Sequence, residues 1–163
     1  MTQEKRKFED WLDYARKAKR VALLAHISPD GDTLGSTLAL RLAFLAMGKQ
    51  VDVICDGDVP DNLMFLTGSE CILHPEDVNG SDYDTAIAVD VSDRLLLGKS
   101  ETVFDAAGIR MVIDHHATNP AYGQVNFIRG GESACCLLAY EAICGLGVEI
   151  TKDIGTCLLT GMS

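Results

Sequence analysis

The sequence predicts an α/β fold with a doubly wound, mainly parallel sheet flanked by helices, and three observations carry that prediction. Short, continuous apolar runs of the kind found in strands buried on both faces recur along the chain, as VALLA at 21–25, TAIAV at 85–89 and RMVI at 110–113. Segments with helical periodicity lie between them, and such βα alternation favours a parallel sheet with crossover helices. Each of these runs also stops at residues able to bind a ligand: His26, Asp90, and Asp114-His115-His116.

Taken in order, Phe8, Trp11, Leu12, Ala15 and Ala18 have helical spacing, so a helix is expected over 8–19. The run at 21–25 is the first strand. A Pro- and Gly-shaped loop follows over 26–33, then a helix over 34–47 stopped by Gly48, and a strand over 50–54. A short helix is expected over 61–66, a strand over 85–89, a helix over 101–107 and a strand over 110–113. Two further helices are expected over 133–144 and 152–159, separated by the breaker Gly145-Leu146-Gly147.

With 163 residues and 47% apolar content, the chain can bury one sizeable core, so a single domain over 1–163 is expected. No apolar stretch reaches the roughly 18–20 residues of a membrane span, and the first residues lack the apolar core of a signal peptide, so no membrane partner and a cytoplasmic location are expected. The six cysteines form no C-x-x-C pair and lie mostly in apolar runs, which suits small buried hydrophobes better than a disulfide framework or a zinc site. A formal charge of −10 argues against a coat for duplex DNA or RNA. It suits a site in which metal ions offset carboxylate and phosphate charge together.

The chemistry concentrates at the strand ends. In open parallel sheets, ligands bind outside the carboxyl ends of the strands, so three strands would deliver their polar residues to one rim. A single Asp after a strand is commonly a cap, but capping does not explain a convergent set. His26, Asp30 and Asp32 place an imidazole and two carboxylates around one tight turn, where Gly31 permits a conformation that aims the carboxylates at different ions. Hard divalent ions favour oxygen, and added imidazole favours Mn, Fe, Co or Zn, so the mixed set points first to Mn²⁺. Gly35-Ser36 offers close approach of an anion at a helix start, or helix packing. Adjacent residues at a strand end point in different directions, so of His115 and His116 one is expected to bind metal and the other to face substrate.

The segments HISPDGDTLGS at 26–36, AIAVDVSD at 86–93 and VIDHHATN at 112–119 together resemble the first three motifs of the DHH phosphoesterase family, and the likeness runs through ESACCLLAYEAI over essentially the whole chain. The PDGD turn is more similar to the branch that degrades short RNA and dephosphorylates 3′-phosphoadenosine 5′-phosphate (pAp) than to the manganese pyrophosphatases. The resemblance implies a Rossmann-like domain that holds two divalent ions, Mn²⁺ before Mg²⁺ or Co²⁺. It implies that His26 and Asp30 bind one ion, Asp32 and His115 the other, and that Asp90 bridges them. His116 would contact the scissile phosphate, Asp114 would orient a neighbouring imidazole, and Asn119 would add a polar contact to substrate. Short RNA or a nucleotide is the implied substrate, and a homodimer the implied assembly.

The sequence also departs from that pattern. It runs out in LLTGMS, where the family continues into a TD or SD segment whose Asp also bridges the ions, and it holds no glycine-rich, basic second domain. A piece of a longer protein is therefore expected, with Asp30, Asp32 and Asp90 setting three negative charges against the four positive charges of two ions. The alternatives are a cyclic-dinucleotide phosphodiesterase, a manganese inorganic pyrophosphatase, or a metal-binding module without useful turnover.

Overall fold

Successive strand residues point to opposite faces in the computed structural model, which describes all of residues 1–163, and that alternation of direction builds two cores on the two faces of one sheet. The sheet has five parallel strands: β1 (Arg20–Leu24), β2 (Gln50–Ile54), β3 (Thr85–Val89), β4 (Ile109–Asp114) and β5 (Val125–Ile128), in the order β2-β1-β3-β4-β5. Val21, Leu23, Ile87, Val89, Met111 and Ile113 point to the larger core. Packed there are α1 (Gln3–Lys17), α2 (Gly31–Ala46), α4 (Cys135–Gly145) and α5 (Lys152–Met162). Ala22, Leu24, Ala86, Ala88 and Val112 point to the smaller core, closed by Val103 and Phe104 of α3 (Glu101–Ala106). The fold is the doubly wound α/β architecture expected from the sequence.

The strand order reverses direction between β1 and β3, since β1 is followed outward by β2 and β3 is followed the other way by β4. At such a switch point the connections diverge and leave a crevice beyond the strand carboxyl ends. His26 follows β1 and Asp90 follows β3, so topology alone puts both at that crevice.

Several elements differ from the sequence expectation for local reasons. Helix α1 begins at Gln3, five residues ahead of the apolar periodicity, because the Thr2 side chain caps it by accepting from the Lys5 amide at 3.1 Å. Helix α2 begins at Gly31 because Asp30 serves as its N-cap, so Gly31 is helical and does not supply the unusual turn expected of it. Residues 61–66 form only a 3₁₀ turn over Asp61–Leu63. Strand β5 has no counterpart in the expectation: it is four residues long at the sheet edge, and only Phe127 is buried. Gly35 is a packing residue, since a Cβ there would run into the Cys157 carbonyl of α5. Four of the cysteines are buried, while Cys71 and Cys144 are exposed. No helix is long and apolar enough to cross a membrane.

Candidate metal centre

A cleft of about 490 Å³ opens over the switch point, and ten residues line it. Six of those anticipated from the sequence are among them: His26, Asp30, Asp32, Asp90, His115 and His116. Ser28, Ser92, Ile27 and Leu96 complete the wall. Asp114 and Asn119 stand behind it.

Each side chain is held by a distinct local device. Asp30 caps α2, its Oδ1 accepting from the Thr33 amide at 2.9 Å. Asp32, in the first turn of α2, reaches across to the start of α4, where its Oδ2 accepts from the Cys135 amide at 2.9 Å and its Oδ1 from the Cys136 amide at 3.0 Å. The N-cap of that helix is Ala134, whose methyl side chain cannot accept a hydrogen bond, so Asp32 satisfies amides that would otherwise lack partners and places its charge at the positive end of the helix. Asp90 has φ of 62°, a left-handed conformation open to Asp and Asn but costly for most other residues. Its carboxylate is buried, and Oδ2 accepts from the Thr33 hydroxyl at 2.7 Å.

The two histidines have different settings. The Nδ1 of His115 lies 2.8 Å from the Glu132 carbonyl, which can only accept, so Nδ1 carries the proton. Its Nε2 is thereby aimed at Asp90 Oδ1, 3.2 Å away, and Asp32 Oδ2, 3.4 Å away. His116 instead turns Nδ1 to Asp114 Oδ1 at 2.7 Å. Asp114 is fully buried and accepts on its other oxygen from the Asn119 amide at 2.8 Å. Asn119 also donates to the Val91 carbonyl at 3.2 Å. The amide of Asn119 therefore braces Asp114 and is not turned into the cleft.

The electrostatics of the cluster are unbalanced. Burial, and then the charge of Asp32, push the Asp90 carboxyl up to about 7. Burial lowers the pKa of His26 against the pull of Asp30, favouring the neutral imidazole that a metal requires. For His116 burial also acts downward, but the hydrogen bond and charge of Asp114 outweigh it and the net shift is upward.

These residues fit divalent ions. Asp90 Oδ1 is buried and has no hydrogen-bond partner, an expensive state for a carboxylate oxygen. It faces a second carboxylate and the Nε2 of an imidazole whose proton is fixed on the opposite nitrogen, a donor set suited to a cation. Ligand atoms of His26, Asp30 and Asp90 lie within 4.8 Å of one another, as do those of Asp90, Asp114, His115 and His116, and Asp90 is common to both groups. Thr33, the Glu132 carbonyl and the apolar pair Ile27 and Leu96 were not singled out by sequence reasoning. Only Thr33 left a signal, as a hydroxyl directly after Asp32 at a helix start.

Comparison with known proteins gives the family. The profile described as the DHH family, N-terminal domain, matches residues 20–162. The bifunctional oligoribonuclease and PAP phosphatase NrnA of Thermus thermophilus is 32% identical over 143 residues, which cover 87% of this chain and 42% of that protein. A probable manganese-dependent inorganic pyrophosphatase of Streptococcus mutans is 22% identical over 149 residues, covering 88% of this chain and 47% of that one. The chain thus spans less than half the length of either relative. Among solved structures, an exopolyphosphatase-related protein from Bacteroides fragilis superposes with a TM-score of 0.90 at 24% identity, covering 99% of this chain and 51% of that one, a likeness of fold.

Proposed function

The chain belongs to the DHH family, and from that premise we propose that it carries the dinuclear metal centre of a phosphoesterase acting on short oligoribonucleotides, on pAp, or on both. The observation that carries this reading is the buried, partnerless Oδ1 of Asp90 facing Asp32 and the Nε2 of His115. His26, Asp30 and Asp90 would hold one ion, and Asp32, Asp90 and His115 the other, with Mn²⁺ favoured by the mixed imidazole and carboxylate set. When bound, such ions polarise a phosphate and activate water for in-line attack at phosphorus.

The chain's own residues supply orientation and a proton. Asp114 fixes the His116 ring through Nδ1, which leaves Nε2 as the open nitrogen of a side chain lining the cleft. With its pKa raised, His116 is suited to donate a hydrogen bond, or a proton, to a phosphate oxygen. The similarity to an oligoribonuclease and pAp phosphatase supports a nucleotide substrate. So do Ile27 and Leu96, which give part of the cleft an apolar wall suited to a sugar or base and of no use to pyrophosphate.

The test is a substrate panel with purified protein and Mn²⁺: a dinucleotide or trinucleotide RNA, pAp, a cyclic dinucleotide and inorganic pyrophosphate. Release of mononucleotide or phosphate from the first two, abolished by chelation, is expected. Hydrolysis of pyrophosphate or of the cyclic dinucleotide alone would overturn the substrate assignment. Binding of Mn²⁺ with no turnover of any of them would replace it with a metal-binding module.

A further inference from the structure

The two sides of Asp90 are not equivalent, and the difference lies in one buried hydroxyl. Thr33 is fully buried in the first turn of α2, and its Oγ1 lies 2.5 Å from His26 Nε2 and 2.7 Å from Asp90 Oδ2. Both residues belong to the group formed by His26, Asp30 and Asp90. On the other side, Asp90 Oδ1 has no hydrogen-bond partner at all.

We propose that the Thr33 hydroxyl is a stand-in ligand that fills the corner between His26 and Asp90, so that an ion enters the His26–Asp30–Asp90 side later and more weakly than the Asp32–Asp90–His115 side. This rests on the reading of the cluster as a two-ion centre. Transition-metal bonds to imidazole nitrogen and carboxylate oxygen are about 2.0–2.2 Å long, so Oγ1 sits only a few tenths of an ångström beyond the distance an ion would keep from both atoms. A hydroxyl has one proton, and a carboxylate only accepts, so that proton goes to Asp90. The hydroxyl oxygen then accepts the Nε2–H of His26, the nitrogen a metal would need bare. Ion entry on this side must break both contacts, whereas entry at Oδ1 breaks none. Thr33 has somewhere to go: a threonine in a helix divides between two χ1 rotamers.

The experiment is calorimetric titration of the chelator-stripped 163-residue chain with MnCl₂, with electron paramagnetic resonance reporting when two Mn²⁺ ions become magnetically coupled. Two unequal binding events are expected in the wild type. Thr33→Ala removes the competing oxygen and should tighten the weaker event by about threefold to tenfold, the equivalent of one ordinary hydrogen bond, while leaving the tighter event unchanged. Thr33→Ser keeps the hydroxyl and should behave as wild type. Thr33→Val leaves a methyl group in the corner and should weaken or abolish the second event. A weaker event that is unchanged or weakened in Thr33→Ala would overturn the proposal, as would two equal events in the wild type. So would an equal shift of both events, which is the signature of a mere packing role. Failure of the wild type to bind any Mn²⁺ would overturn the two-ion reading with it.

Discussion

Asp90→Asn should make the metal-free protein more stable, although it removes the carboxylate proposed to be shared by the two ions. The carboxyl is 4% exposed and pushed up to about 7, against an ordinary value of roughly 3.9 in an unfolded chain. Below the unfolded value both states hold the proton, and Asp90 has no effect on stability. Between about 4 and 7 the folded state retains a proton that the unfolded chain has released, so stability falls as pH rises, and above 7 the whole penalty is present. About three pH units correspond to roughly 4 kcal/mol, and relaxation of the crowded cluster reduces this to about 2–4 kcal/mol. Asparagine removes the charge, keeps the shape, and tolerates the left-handed φ of 62°, whereas alanine would add strain. Unfolding in EDTA from pH 4 to 8 is the assay. At pH 8 the variant should melt higher by roughly 5–15 °C and lose the wild-type fall in stability with pH. With Mn²⁺ at about a hundred times its Kd, the wild type should gain about 2.7 kcal/mol that the variant does not. A variant less stable than wild type at pH 8 in EDTA, or with the same dependence on pH, would refute the reasoning.

Asp32→Ala should act with the opposite sign, losing about 1–2 kcal/mol in EDTA because the α4 amides of Cys135 and Cys136 lose their acceptor. Stabilisation as large as that of Asp90→Asn would show that charge crowding, not capping, governs Asp32. Gly35→Ala should destabilise by about 1–3 kcal/mol in urea unfolding, since its Cβ meets the Cys157 carbonyl and pushes α5 away from α2; an unchanged midpoint would contradict that packing. Asn119→Ala frees one oxygen of Asp114 and loosens the His116 support, so turnover should drop by about tenfold or more with Mn²⁺ affinity retained. An equal loss of metal affinity would place Asn119 in the support of the ions instead.

Much of the fold was legible because fully apolar runs mark strands covered on both faces. Strands β1, β3 and β4 announce themselves in this way. Strand β5 does not: four residues at an edge with one buried side chain carry too little periodicity to be distinguished from a loop. The site residues were legible as types at strand ends, since topology sends those ends to one rim. What holds them was not. The capping of α4 by Asp32 spans more than a hundred residues, and the Glu132 carbonyl that orients His115 is a backbone group with no sequence signature. The expectation that Gly31 supplies the special backbone of the site failed because Asp30 caps a helix that already includes Gly31, and the left-handed conformation falls instead on Asp90.

The most direct test of the dinuclear centre is anomalous diffraction at the manganese edge from crystals of this chain grown with MnCl₂. Two peaks are predicted, one on either side of the Asp90 carboxylate, the first among His26, Asp30 and Asp90 and the second among Asp32, Asp90 and His115. No peak within coordination distance of Asp90, with manganese bound elsewhere or not at all, would contradict it.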